Sequence, residues 1–144
     1  MQLDKFTDYA LRMLVALAIS APERWTASGI AQTYQISEHH IAKVASQLAR
    51  EGFVISERGR GGGLTLARAP AQINIGAVVR ALKADCPVVA CFGSDQSCKI
   101  MPACGLRTPL QNAQEAFYAV LDQYTLADVT QSRAGLSALL ALKT

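Results

Sequence analysis

A capped helix running straight into two short apolar strands, with a glycine- and arginine-rich tip between them, constrains this chain more than any other feature. Phe53-Val54-Ile55 and Leu64-Thr65-Leu66 flank Arg58-Gly59-Arg60-Gly61-Gly62-Gly63. Apolar runs around a glycine turn predict a β-hairpin. The helix before it starts from Ser37, a good N-cap, turns Ile41, Val44 and Leu48 inward, and stops at Gly52. Upstream, Thr7 or Asp8 reads as the cap of a first helix ending near Ser20, with Leu11, Leu14, Val15 and Ala18 on one face. Ala21 to Arg24 make a turn, Ser28 to Tyr34 a short helix beginning from Thr26, and Gln35-Ile36 a tight turn. Helix, short turn, capped helix and hairpin is the order of a winged helix-turn-helix.

That order carries a chemistry. A major groove is about 12 Å wide and accepts one helix. The capped helix opens with Ser37, Glu38, His39 and His40, and Lys43 follows one turn later. These residues are polar, short enough to approach bases, and not needed for a core. Arg58 and Arg60 at the hairpin tip reach for phosphate or a narrow minor groove, and Gly61 and Gly62 let the backbone come close to phosphate. Double-stranded DNA is the expected partner. The net charge of +3 is mild, but residues 39–68 hold five Lys and Arg against two acids. Adjacent histidines on a helix do not face the same way, so His39 and His40 are not expected to share a metal.

Ala69-Pro70-Ala71 breaks the chain, and Ile75 to Lys83 predicts a further helix. A loop rich in Gly, Ser and Pro follows, from about Cys86 to Cys104. From Leu106 to about Val129 runs the longest helical pattern, with Leu110, Ala113, Phe117, Val120 and Leu121 on one face and Pro109 in the first turn. A short last helix passes through Leu136, Leu139 and Leu140. The expected fold is mainly α with a small β-hairpin. It divides into a winged helix-turn-helix over 1–70, a helix and cysteine loop over 71–105, and a long helix with a C-terminal tail over 106–144. The apolar run Leu11 to Ala21 is interrupted by Arg12 and preceded by Asp4 and Asp8, which marks a buried helix rather than an export signal. No stretch approaches the roughly 20 apolar residues of a membrane span. A cytoplasmic protein with no membrane partner is expected.

The four cysteines, Cys86, Cys91, Cys98 and Cys104, all fall in that one loop. In a reducing cytosol such clustering points to metal or redox chemistry. Six residues separate Cys91 from Cys98 and five separate Cys98 from Cys104, too many for a zinc knuckle, and there is no Cys-x-x-Cys pair. Three spread thiolates suit an iron–sulfur cluster. Plain structural thiols or a stress-formed disulfide are the alternatives, and Cys86 reads either as a fourth ligand or as buried filler. Neither a nucleophile–base pair nor a phosphate-cradling motif is present, so an enzyme is not expected.

At this point the chain resembles a bacterial family, the winged-helix iron–sulfur repressors of the Rrf-two family, and within it the group that responds to nitric oxide. The likeness rests on Met1-Gln2-Leu3 with Phe6-Thr7-Asp8-Tyr9-Ala10-Leu11-Arg12, and on Ser37 to Phe53 with His40 and Lys43. It rests also on Arg58 to Gly63, on Cys98-Lys-Ile-Met-Pro-Ala-Cys104, and on Tyr124-Thr-Leu-Ala-Asp128. The resemblance implies a homodimer built on the long helix, bound to a two-fold-related DNA operator. It implies a cluster held by Cys91, Cys98 and Cys104, with a fourth, oxygen ligand from an N-terminal aspartate of the partner subunit; Asp8 stands at the matching position. A four-iron cluster (4Fe-4S) is favoured and a two-iron cluster (2Fe-2S) is the alternative. The implied function is a repressor that releases DNA when nitric oxide nitrosylates the cluster. The same scaffold sensing oxygen, redox state or iron supply, and a cluster-free regulator, are the other readings. Arg107 stands where the sibling iron–sulfur-assembly regulators place a histidine, and Gly105 where the nitric-oxide group usually has arginine. Read without the resemblance, Asp8 is a helix-capping carboxylate.

Overall fold

The computed structural model describes residues 3–83 and 87–140. Helix α1 spans Lys5–Ser20. Its cap is neither Thr7 nor Asp8 but Asp4, whose carboxylate accepts the Thr7 N–H at 2.8 Å. The helix therefore starts a turn earlier than the sequence suggested, and Thr7 is buried inside it. Helix α2, Ala27–Tyr34, is capped by Thr26 and ends at Gln35, which turns the chain with a left-handed φ of 55°. Helix α3, Glu38–Arg50, begins as expected at Ser37, whose hydroxyl accepts from the His40 N–H at 3.4 Å.

Strand β1, Val54–Glu57, pairs antiparallel with β2, Gly63–Leu66, in the register Val54 opposite Leu66 and Glu57 opposite Gly63. The first strand starts one residue later than expected, the Phe53 N–H still donating to the Leu48 carbonyl of α3 at 2.9 Å. The hairpin gains a third backbone partner: the Trp25 N–H donates to the Leu64 carbonyl at 3.1 Å, and the Leu64 N–H donates back at 2.6 Å.

One core unites these elements. Met13, Leu14 and Leu17 of α1 meet Ile30 of α2, Ile41, Val44 and Leu48 of α3, and Leu64 of the hairpin, all essentially without solvent contact. Each such side chain contributes roughly 1.5–3 kcal/mol by leaving water. Of the face expected for the first helix, Leu14 and Ala18 are buried, while Leu11 and Val15 pack at the core's edge.

Helix α4, Ile75–Leu82, is capped by Asn74, whose side-chain oxygen accepts the Ala77 N–H at 2.9 Å. The long helix expected to reach Val129 does not do so. Helix α5 covers Arg107–Leu121, one residue shorter than α1, and the chain then breaks before α6, Leu126–Val129, and α7, Arg133–Leu139. Competing bonds explain the break. The Asn74 amide donates to the Asp122 carbonyl at 2.7 Å, the Ile75 N–H to the Tyr124 carbonyl at 2.9 Å, and the Leu126 N–H to the Ile73 carbonyl at 2.8 Å. Thr125 and Asp128 then form a reciprocal capping box that starts a new helix and drives Leu126 into the core. Among the described residues no helix is long and apolar enough to cross a membrane.

Candidate nucleic-acid interface and cysteine loop

The core fixes which side of α3 is free. With Ile41, Val44, Ala45 and Leu48 buried, the helix exposes Glu38, His39, His40, Ala42, Lys43, Ser46 and Arg50. Ser37 and the expected residues of the first turn are all on that outer side. The strip continues beyond Lys43 to Ser46, Gln47 and Arg50. Sequence reasoning stopped at Lys43, although the i, i+4 spacing from His39 through Lys43 to Gln47 was there to be followed. Arg50 donates to the Gln47 side-chain oxygen at 3.0 Å, and the Gln47 amide donates to Glu51 at 2.9 Å, so this end of the strip is cross-braced.

Beside α3 stands the hairpin. Between them lies an open cleft of about 560 Å³, lined by Ala42, Ser46 and Ala49 on the helix and by Arg58, Gly59 and Gly62 on the hairpin. Arg58 and Arg60 are exposed, and among the described residues neither makes a hydrogen bond or ion pair. Two neighbouring arginines differ. Arg24 pairs with Glu57 at the tip end of β1, and Arg68 lies 4.9 Å from the Phe53 ring centroid while donating to the Gly52 carbonyl. The hairpin glycines serve the turn itself. A Cβ on Gly62 would stand 2.4 Å from the Glu57 carbonyl oxygen, and Gly63 adopts a φ of 143° with the Trp25 backbone against it. Close approach to phosphate is thus not needed to explain why Gly62 is glycine.

Helix α1 crosses behind α3. The Tyr9 and His40 rings lie 6.4 Å apart, and the Tyr34 hydroxyl of α2 donates to the Arg12 carbonyl at 2.9 Å. Burial pushes the Tyr34 hydroxyl's pKa up against the pull of the Arg12 charge, which keeps it a donor. Asp8 faces outward from α1 and pairs with Arg12 at 2.7 Å. At the helix start, Asp4 also binds Lys83 at 2.6 Å. Partial burial works against ionisation of Asp4, but the Lys83 ammonium and the Thr7 N–H and hydroxyl outweigh it, and its carboxyl titrates below the usual aspartate range. At the other end Arg133 of α7 donates to the Ala18 and Ala21 carbonyls, at 3.4 and 3.0 Å.

The cysteine loop leaves α4 and returns through α5. Short 3-10 turns at Ala90–Phe92 and Met101–Ala103 punctuate it. The Gln114 side-chain oxygen of α5 accepts the Val88 N–H at 3.2 Å, and the Gln96 amide donates to the Cys91 and Gly93 carbonyls. The Ser97 hydroxyl and N–H both donate to Asp95 and lower its pKa. Cys91 and Cys104 are half-buried, Cys98 is exposed, and all three are free thiols. Cys86 lies outside the described residues. Three soft thiols on one loop are the donor set that an iron–sulfur cluster takes. Within a single chain they are not gathered: among the described residues no three His, Cys, Asp or Glu side chains converge as a metal site, so Asp8 and the cysteines form no such group.

Comparison with known proteins bears on the whole chain. The model of the family described as Rrf2, iron-dependent transcriptional regulator, matches residues 3–132. The HTH-type transcriptional regulator NsrR of Geobacillus kaustophilus is 45% identical over 142 residues, 97% of each chain. NsrR of Bacillus subtilis is 43% identical over 99% of each. Among solved structures, CymR, the global cysteine regulator of B. subtilis, superposes with a TM-score of 0.68 at 27% identity, covering 92% of this chain and 98% of that one. The match along nearly the full length, on a winged helix-turn-helix followed by a cysteine loop, establishes that this chain is a transcriptional regulator of the Rrf2 family.

Proposed function

We propose that this chain is a DNA-binding repressor, working as a cytoplasmic homodimer, that holds an iron–sulfur cluster and releases its operator in response to nitric oxide. The observation that carries the DNA reading is Arg58 across one cleft from the free side of α3, with Arg60 exposed beside it at the hairpin tip and neither engaged in a hydrogen bond or ion pair among the described residues. The reading head is assigned to 1–70, the helix and cysteine loop to 71–105, and the dimer contact to 106–144. In support of a dimer, α5 has no buried residue and turns Leu110, Ala113 and Phe117 toward an apolar groove of about 420 Å³ shared with Leu3 and Val88. A second copy would cover it.

The cluster is assigned to Cys91, Cys98 and Cys104, with Asp8 supplied across the dimer. Four-iron is favoured over two-iron. When bound it supplies iron sites open to small gaseous ligands, and a carboxylate is a harder, more exchangeable ligand there than a thiolate. The response of the protein then runs through α1. Asp8 immediately precedes Tyr9, whose ring lies 6.4 Å from that of His40 on α3, and α1 packs along α3 through the shared core. A bond at Asp8 would hold α1, and its loss would free that helix, which packs on α3, so that the reading heads would tilt. Two half-sites must keep a spacing of about 34 Å or a multiple of it, so a small tilt lowers affinity. Ser37, Glu38, His39, His40 and Lys43 are assigned to base edges and backbone in the major groove, and Arg58, Arg60, Gly61 and Gly62 to the wing contact.

Anaerobic purification with iron and sulfide analysis, followed by nitric-oxide titration of DNA binding, tests this. About four iron per chain and loss of binding on exposure are expected. Release by oxygen or by iron chelation, with no response to nitric oxide, would move the signal and keep the scaffold. A metal-free protein with unchanged DNA binding would remove the cluster and its ligands.

A further inference from the structure

We propose that the Asp4–Lys83 ion pair is the intrachain contact that passes the state of the cysteine loop to the recognition helix. The inference rests on the cluster-binding reading above and names a device that regulates it.

Lys83 closes α4 at the end from which the chain runs on toward Cys91, and its N–H donates to the Val79 carbonyl at 3.0 Å. Its ammonium lies 2.6 Å from the Asp4 carboxylate, with the Lys83 side chain 16% exposed. The Asp4 side chain is 41% exposed, so the shielding lies on the lysine's side, and the pair is less screened than one in which both partners face water. Asp4 is also the residue that starts α1, through the Thr7 N–H and hydroxyl. One carboxylate therefore both caps α1 and ties it to the end of α4.

What lies along α1 makes that tie consequential. The helix has 16 residues, a rod of about 24 Å at about 1.5 Å each. Tyr9 lies against His40 of α3, the Arg12 carbonyl accepts from Tyr34 of α2, and the far end is held by Arg133. Val78 and Val79 root α4 in the core. A loop that pulls on α4's end thus acts on a rod whose second turn, at Tyr9, lies against the first turn of α3. Within one chain, Asp4–Lys83 joins the cysteine side of the molecule to the N-terminal end of that rod. Asp8, by contrast, is proposed to act on the other subunit.

The test separates cap from ion pair. Asn caps a helix as well as Asp does, so Asp4→Asn keeps the Thr7 bond and removes the charge. Lys83→Gln removes the cation and leaves the cap untouched. The full-length wild type, both single variants, the double variant and Lys83→Arg are purified anaerobically. Each is measured for iron per chain and for affinity, loaded and cluster-free, toward one two-fold-symmetric duplex selected from random sequence by the loaded wild type. Wild-type iron content is expected throughout. The ratio of loaded to cluster-free affinity should fall to about one-fifth of wild type or less in each single variant, the low end of typical couplings. It should fall no further in the double variant and should recover in Lys83→Arg. Single variants that hold iron and keep the full ratio overturn this inference and leave the cluster reading standing. A wild type without iron, or one with equal affinities in the two states, overturns both.

Discussion

Replacing Arg60 by alanine isolates the wing's part in DNA binding, because nothing else in the described structure depends on that side chain. Arg60 is exposed and makes no hydrogen bond or ion pair among the described residues, so the folded protein should tolerate its loss within about 0.5 kcal/mol. On DNA the effect is ionic. Each neutralised phosphate contributes about 0.9 to the slope of log affinity against log salt. A homodimer presents two wings, so Arg60→Ala should flatten the slope by about 1.8. Between 50 and 200 mM salt that amounts to about twelvefold: the wild type should lose about twelve times more affinity over the interval than the variant. Fluorescence anisotropy on one duplex at four or five salt concentrations reads it directly. Arg68→Ala is the control, since Arg68 is engaged with Phe53 and the Gly52 carbonyl. It should lower stability and leave the slope nearly as it was. Equal slopes for wild type and Arg60→Ala would show that the wing does not touch phosphate.

Leu126→Ala removes a fully buried side chain at the point where α6 locks onto the chain before α4. A loss of about 2–5 kcal/mol in chemical denaturation is expected, and a loss under about 1 kcal/mol would mean that the α5–α6 break is not held by the core. Acid titration addresses Asp4. Its folded carboxyl titrates below the unfolded one, so its stabilisation is complete above the unfolded value and disappears as pH falls through the folded value. The cluster-free wild type should therefore melt above Asp4→Asn at neutral pH, and the two should converge below the ordinary aspartate range. A gap that stays constant with pH would contradict the ion pair.

The reading head was legible because its signals are local. Ser37 as a cap, the spacing of Ile41, Val44 and Leu48, and the glycine tip each depend on residues close in sequence, and each appears where expected. What failed depends on distant partners. Near Asp122 the one local signal is the Thr125/Asp128 capping box of the next helix, which sequence reasoning passed over; the bonds that hold the break come from Asn74, Ile75 and Ile73, some fifty positions away. A Cβ on Gly76 would lie 1.9 Å from the Asp122 side chain, so α4 and the break were fitted to each other across that distance. The first helix was misplaced by a turn for a related reason. Asp4, Thr7 and Asp8 are all acceptable caps by composition, and the choice of Asp4 goes with Lys83, far along the chain. The paired roles of Arg24 and Arg68 were equally hidden, since a basic residue near a wing looks the same in sequence whether or not a carboxylate or a ring awaits it.

The correction at Asp4 sharpens the question of Asp8. A capping carboxylate was the ordinary explanation for Asp8, and Asp4 now occupies that role. What remains for Asp8 inside the chain is one ion pair with Arg12, four positions on, with the two side chains 41% and 46% exposed. Such pairs contribute about 0.3–0.5 kcal/mol, which for a chain of this size is about 1–2 °C in melting temperature. Asp8→Ala should therefore leave the cluster-free protein nearly unchanged. If Asp8 is the oxygen ligand, the same substitution should alter the loaded protein sharply, with less iron retained per chain, a changed absorption spectrum, and DNA affinity closer to the cluster-free value. The two measurements pull apart because the intrachain role is small and the proposed ligand role is not. An Asp8→Ala protein that keeps its iron, its spectrum and its full response to nitric oxide would remove Asp8 from the ligand set and leave only its surface pair with Arg12.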